Sequence, residues 1–225
     1  MANRTPSDLP GVSPPRTRGW EAILSLSYHA SRVAAALPGC AFHRYVLVAI
    51  PAAAMPRAAG GLWTGVVAPE DAVAAGLVDG AAAVWRAGQG MACVGVRKGA
   101  ALVAVTWLTI GKFDEDEAWL RFEPLPGAAW DTGMQIAPAA RGGRAFAALW
   151  AATRDWLEAC ACGWSISRIA DYNLPSRRAH ARLGGVEVGS VSVARVGSRQ
   201  WAAGARPSLA RIGGPRAVVR PVLPR

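Results

Sequence analysis

A chain of 225 residues that is 52% apolar can bury a core without disulfide or metal staples. Its formal net charge of +10 favours anionic partners such as nucleotides, phosphorylated cofactors, nucleic acid or acidic lipid. Cys40, Cys93, Cys160 and Cys162 form no CxxC or Cys/His zinc pattern, and no apolar stretch is long enough for a membrane-spanning helix.

Residues 1–18 are proline-rich and polar, which predicts a disordered segment. The arginines near the start are followed by prolines rather than a compact apolar run, so a soluble, reducing, cytoplasmic protein is expected. Residues 19–204 read as one domain, and 205–225 as a basic, proline-bearing, solvated tail. From Trp20 an amphipathic helix is predicted, carried by Ile23, Leu24, Leu26, Ser27, Ala30, Val33, Ala34 and Leu37 and stopped by Pro38-Gly39. Tyr45 to Ile50 reads as a strand, and the run from Pro51 to Gly61 as a loop. Pro69-Glu70-Asp71 opens a short helix, its acidic residues suited to the helix dipole.

Five strands are then expected in an antiparallel meander: Ala82 to Ala87, Met91 to Arg97, Ala101 to Ile110, Ala118 to Glu123 and Trp130 to Ile136. Ala101 to Ile110 is apolar on both faces, which places it mid-sheet. The acidic run Asp114-Glu115-Asp116-Glu117 reads as a solvated hairpin tip, or as a lure for a cationic amine.

In Trp130 to Ile136, Trp130, Thr132, Met134 and Ile136 alternate with Asp131, Gly133 and Gln135. Pro138 ends the pairing, Arg141-Gly142-Gly143-Arg144 makes a basic turn, and a helix begins at Ala145 with Phe146, Leu149, Ala152, Trp156 and Leu157 inward and Arg154 outward. The first turn of a helix offers unpaired N–H groups and partial positive charge, so this turn suits a phosphate or pyrophosphate. An ordinary strand-to-helix crossover with a glycine turn is the alternative. Trp164 to Ala170 is another strand. Asn173 is a candidate cap for a short helix with Pro175 in its first turn, ending at Gly184-Gly185. Val186 to Val196 and Gln200 to Ala203 complete the sheet.

Two motifs in this order carry a resemblance. Asn173-Leu174-Pro175-Ser176 with His180-Ala181-Arg182-Leu183-Gly184 resembles the last helix of the GCN5-related N-acetyltransferase (GNAT) superfamily. Ala137 to Phe146 resembles its acyl-CoA pyrophosphate loop, and the likeness covers roughly residues 82–203. It implies an α/β fold: a mixed, mostly antiparallel central sheet flanked by helices, with an acyl-CoA cleft between splayed central strands. One departure is visible: in the family's loop frame Arg144 falls on the inner glycine position, and the glycines have moved to 142 and 143.

The resemblance implies an N-acetyltransferase that moves an acetyl group from acetyl-CoA to a primary amine on a small molecule or peptide. The altered loop leaves open a longer acyl-CoA, an acyl carrier protein as donor, or a non-catalytic CoA-binding relative. Met134, Gln135 and Ile136 would meet the thioester, one backbone N–H holding the oxyanion. Arg141, Gly142, Gly143, Arg144, Ala145 and Phe146 would hold the pyrophosphate, and Asn173, Ser176 and Arg177 other parts of the carrier. His180 stands where the family often has a tyrosine that protonates the thiolate. Asp131 is the first candidate base, ahead of Glu123, with water-relayed proton loss as the alternative. No metal and no membrane is implied, and a homodimer is compatible. The competing class is a basic nucleic-acid-binding module using arginine and stacked tryptophan; most tryptophans fall at apolar positions, where core packing explains them.

Overall fold

The computed structural model describes residues 18–57, 59–204 and 208–223. Residues 1–17, most of the segment expected to be disordered, lie outside them. Helix α1 (Arg18–Ala36) leads into strand β1 (Cys40–Pro51), then β2 (Trp63–Val66), α2 (Pro69–Ala74) and α3 (Gly80–Ala87). β3 (Ala92–Lys98), β4 (Ala101–Thr109), β5 (Phe113–Asp114), β6 (Leu120–Phe122) and β7 (Ala128–Ile136) follow; β5 and β6 leave the main sheet and β4 pairs directly with β7, so the expected continuous meander is interrupted. Helix α4 (Ala145–Ala159), β8 (Trp164–Ala170), α5 (Leu174–Arg182), β9 (Val186–Val196), β10 (Arg199–Ala203), β11 (Ser208–Arg211) and β12 (Ala217–Val219) complete the described chain.

Among the described residues nine strands form one sheet in the order β11-β10-β9-β1-β8-β7-β4-β3-β2. Every neighbouring pair in it is antiparallel except β7 with β8, which run parallel on either side of the α4 crossover. The first strand of the chain is therefore wedged between β8 and β9, well away from β2. A second sheet, β12-β6-β5, covers part of one face.

On that face Phe113, Leu120 and Phe122 pack on Trp107 and Trp130, together with Ala72, Leu77 and Ala83 of the α2–α3 region. The opposite face is sealed by α4, where Trp150 and Leu157 meet Val46, Val48 and Ile50 of β1. Trp107, Trp130 and Trp150 are all but fully buried. Each removes a large apolar area from water, so these three dominate the packing.

Four further expectations are corrected. Ala82 to Ala87 is the body of α3, not a strand, because Asp79 caps the helix by accepting from the amides of Ala81 (2.9 Å) and Ala82 (3.3 Å). The acidic run is no solvated tip: Glu115 is 1% exposed. Arg154 is buried rather than wet; its Nε donates to Glu158 and its Nη1 to the Met55 carbonyl. The C-terminal segment forms two strands instead of a solvated tail. Arg216 anchors it: the guanidinium lies 3.8 Å from the Trp119 ring centroid and Nη1 donates to the Glu115 carbonyl at 3.1 Å. Desolvation, with a smaller push from the Arg121 charge, lowers the Arg216 pKa despite Asp114 and Glu115, and the aromatic faces and carbonyls around it compensate.

Candidate functional site

β7 is built from two unlike halves. Ala128 to Asp131 pairs in register with Trp164 to Ser167 of β8, and the pairing stops there. Beyond Asp131 the two strands part. On its other edge β7 stays laddered to β4, but the register shifts: Thr132 faces Trp107 and Gln135 faces Val105. β7 thus carries one residue more than β4 across this interval, a β-bulge. Gly133 supplies it, at φ +61°, a conformation that costs any other residue a steric penalty.

The bulge reverses the side-chain alternation expected for this strand. Trp130 packs in the cluster on the face of the small sheet, whereas Met134 packs beneath α4. Asp131 and Gln135 therefore do not share a face. Asp131 is buried, and the hydroxyls of Ser165 (2.5 Å) and Ser167 (2.6 and 2.7 Å) donate to its carboxylate. It closes the paired half of the fork. Gln135 and Ile136 instead line a cleft of about 670 Å³ with Gly133, Ala137, Pro138 and Arg141.

The far wall of that cleft comes from residues 76–79, Ala82 and Arg86 of α3, and Asp116 and Glu117. Asp116 bridges the fork. It accepts from Arg86 Nη2 at 2.9 Å and lies 3.7 Å from Arg168 Nη2. Arg168 follows Ser167, the last β8 residue paired with β7. Its guanidinium also meets Glu115, reaches Glu117 at 3.2 Å, and stacks 4.5 Å from the Tyr45 ring. Burial pushes the Glu115 carboxyl up to about 8 despite Arg168. Asp116 moves the other way: its bond with Glu115 and the two guanidinium groups outweigh desolvation and lower its pKa.

The mouth of α4 is open. Arg141 to Arg144 are exposed, Gly142 has φ +74°, and nothing lies within 4 Å of where its Cβ would be. No side chain caps α4 and its first turn holds no acidic residue, so its leading N–H groups and dipole face outward. The two arginines are partly engaged: Arg141 Nε donates to the Ile136 carbonyl (3.2 Å) and Arg144 Nη1 to the Gly60 carbonyl (2.8 Å). Ala145 is buried and Phe146 stands edge-on to Trp150.

α5 lies apart from the cleft. Asn173 caps it, accepting from the Ser176 amide at 3.2 Å. Arg177 donates to the Asp171 carbonyl and pairs with Glu187, so it is not free for a phosphate. His180 is 5% exposed, edge-on to Trp150 at 5.4 Å. Its Nδ1 is 2.8 Å from the Ser176 carbonyl. A carbonyl only accepts, so Nδ1 carries the proton and Nε2 of the neutral ring is an acceptor. Neither His180 nor Asp131 lines the cleft. Glu123, the second candidate base, is paired with Lys112 and Arg220. Sequence reasoning missed Arg86 and Asp79 as wall residues and had Asp116 and Glu117 only through the alternative reading of the acidic run as a lure for an amine. Asp79 ahead of an alanine-rich run was the readable signal, as a helix cap.

A mostly antiparallel sheet whose one parallel pair forks beside an open helix mouth is the GNAT fold. The chain resembles the crystal structure of a GNAT-family protein from Novosphingobium aromaticivorans, described as an acetyltransferase, with a TM-score of 0.51 and 18% identity over 70% of this chain and 66% of that one. A GCN5-related N-acetyltransferase from Kribbella flavida aligns with a TM-score of 0.47 and 17% identity, covering 70% of this chain and 60% of that one. A tandem GNAT protein from the clavulanic acid biosynthesis pathway aligns at 0.43 and 19%, covering 89% and 62%. The chain spans less than two thirds of each of these structures. No family model and no curated protein sequence matches it.

Proposed function

We propose that this protein is an acyl-CoA-dependent N-acyltransferase that moves an acetyl group from acetyl-CoA to a primary amine by direct attack on the thioester. The observation that carries this reading is the fork: β7 and β8 pair from Ala128 to Asp131 and then part, next to the open, uncapped mouth of α4. Pyrophosphate binding falls to the backbone of Gly142 to Phe146, with charge from Arg141 and Arg144. The fork would take the pantetheine arm, and the β8-facing edge of β7 at Met134 to Ile136 the thioester carbonyl. Asn173, Ser176 and Arg177 of α5 act by holding the loop after β8 in place.

The acceptor would enter from the wall formed by Asp79, Asp116 and Glu117, whose carboxylates suit an amine over an acid. Glu117, 57% exposed at its side chain, or water takes the proton that the amine loses on attack. His180 would return a proton to the thiolate only as the imidazolium, because its neutral ring donates to Ser176.

The test is thermal stabilisation by acetyl-CoA followed by thiol release over a panel of amines. We expect stabilisation by acetyl-CoA, and thiol release with cationic amines. No stabilisation by any CoA ester, with salt-dependent binding to DNA or RNA instead, would replace this reading by the nucleic-acid module. Stabilisation without turnover for any amine would leave a CoA-binding relative that does no chemistry.

A further inference from the structure

We propose that Arg86 is a catalytic residue that donates to the acyl carbonyl oxygen as it becomes an oxyanion. The proposal rests on the thioester reading above and adds a residue to it. Three arginines meet the acidic segment 114–117 behind the cleft wall, Arg86 buried and Arg168 and Arg216 partly so, and they differ in how fully they are used. Arg168 spends both Nη groups on carboxylates. Arg216 spends Nη1 on backbone carbonyls and sets Nε 3.3 Å from Asp114. Arg86, 9% exposed, makes one hydrogen bond among the described residues, from Nη2 to Asp116. Its Nε is buried without a partner, as is that of Arg168; what sets Arg86 apart is Nη1, which has no acceptor among the described residues although the residue lines the cleft.

A buried guanidinium with unused N–H groups is costly unless something fills them. Where Arg86 sits says what would. A Cβ added to Gly133 would lie 2.2 Å from Nη1 and 2.7 Å from Cζ. The guanidinium thus occupies the space of the side chain that Gly133 lacks, at the bulge where β7 has just left β8. It is held there by Asp116 on one side and the Trp107 ring, 5.9 Å from Cζ, on the other. Structural duty accounts for Nη2 and for the stacking. It does not account for an open donor corner aimed at the unpaired stretch of the strand.

At that corner the chemistry balances without a further reagent. The amine nitrogen forms the C–N bond and the carbonyl π pair moves to oxygen, where the Arg86 N–H groups meet the new charge. Collapse restores the carbonyl and breaks the C–S bond. The leaving thiolate finally takes up the proton that the amine sheds, and Arg86 stays protonated throughout. A donor fixed in advance in a desolvated site stabilises the transition state more than the ground state.

The experiment compares wild type with Arg86→Lys, Arg86→Gln and Arg86→Ala, using acetyl-CoA with the best amine of the panel, and hydroxylamine as a small uncharged nucleophile. We expect kcat to fall by about a hundredfold or more in R86Q with both nucleophiles, less in R86K, with acetyl-CoA affinity within a few-fold of wild type. Added methylguanidinium should restore part of the turnover of R86A, which a purely structural role would not permit. Binding gives a readout free of turnover: R86Q should weaken acetyl-CoA more than S-ethyl-CoA, which has no carbonyl oxygen. Turnover of R86Q within threefold of wild type overturns the proposal. So does a loss confined to the KM of the cationic amine, with hydroxylamine unaffected, because Arg86 would then serve only the acceptor. If the variants melt too low to assay, equal weakening of the two CoA compounds in R86K overturns it. If wild type itself binds neither compound, the thioester reading has failed first, and this proposal with it.

Discussion

The two halves of β7 share one strand and one alternating pattern, yet they do opposite things. From Ala128 to Asp131 the strand is paired with β8, at Trp130 and Asp131 with β4 as well, and the Asp131 carboxylate, closed over by two serine hydroxyls, fastens it to β8. From Gly133 onward it keeps β4, loses β8 and turns its side chains over by one place. Charge placed on the axis of a parallel pair explains the contrast. A carboxylate facing hydroxyls ties the strands together; beyond it the Arg86 guanidinium, held by Asp116, fills the space beside the Gly133 bulge. The paired half is built for stability, and the parted half holds unsatisfied groups that a ligand can use.

Gly133→Ala should have the largest effect, because it attacks the parted half twice. A non-glycine residue at φ +61° costs about 1–2 kcal/mol, and its Cβ would drive Arg86 off Asp116. Breaking a buried pair costs about 3–5 kcal/mol at the upper end. Chemical denaturation should show the two terms directly. The cost of G133A should shrink toward the backbone penalty in an Arg86→Ala background; full additivity of the two changes would mean that the guanidinium is not seated on the bulge. Asp131→Ala attacks the paired half. It leaves the Ser165 and Ser167 hydroxyls buried and unpaired, at about 1–3 kcal/mol each, while acetyl-CoA affinity of the folded fraction should stay near wild type. A D131A variant of unchanged stability would show that the carboxylate does not fasten the pair.

Much of this architecture was legible in the residues. The periodicities of 91–97, 101–110 and 145–160 delivered β3, β4 and α4, and the cap at Asn173 fell where the side chain now accepts from Ser176; that of 20–37 marked α1 but not its buried side, since Leu26, Val33 and Leu37 are exposed. The misreadings cluster where local pattern was ambiguous or non-local. Residues 82–87 are nearly all apolar, so period could not separate strand from helix; the Asp79 cap could have. β2, β11 and β12 are three or four residues long and are strands only because of what they pair with. The bulge is the costliest omission. A glycine inside an alternating strand does signal one, and without it Asp131 looked as though it faced the cleft with Gln135. The burial of 114–117 could not be read locally at all, since the cations that make it tolerable lie at Arg86, Arg168 and Arg216.

That buried acidic segment gives the comparison a pH dependence. The Glu115 carboxyl goes from an ordinary value of 4.5 to about 8 on folding, chiefly through desolvation. The folded state then binds the proton more tightly than the unfolded chain, so this stabilisation is complete below about 4.5 and is lost as pH rises through 8. Asp114 and Asp116 are lowered instead, and what they contribute is lost only as pH falls below the usual carboxylate range. Denaturation midpoints of wild type should therefore decline between pH 5 and 8, and Glu115→Gln, which resembles the protonated acid, should flatten that limb while sparing the acid one. An unchanged slope in E115Q would mean that Arg168 keeps the Glu115 carboxylate ionised.

The smallest effect separates the fork from the element beside it. Asn173→Ala removes one capping bond, so it should cost about 1 kcal/mol, and Asn173→Gly less. α5 touches the rest of the site through the edge-on pair of His180 with Trp150, and Trp150 lies in the second turn of α4, behind the open mouth. If α5 only supports α4, the capping loss should leave CoA-ester affinity unchanged at temperatures where the protein is folded. If affinity for acetyl-CoA falls further than the melting shift accounts for, Asn173 meets the ligand itself, and the ligand path runs from the fork across α4 to α5. Affinity measured against a graded series of cap variants decides between these, because a support role tracks capping strength and a direct contact does not.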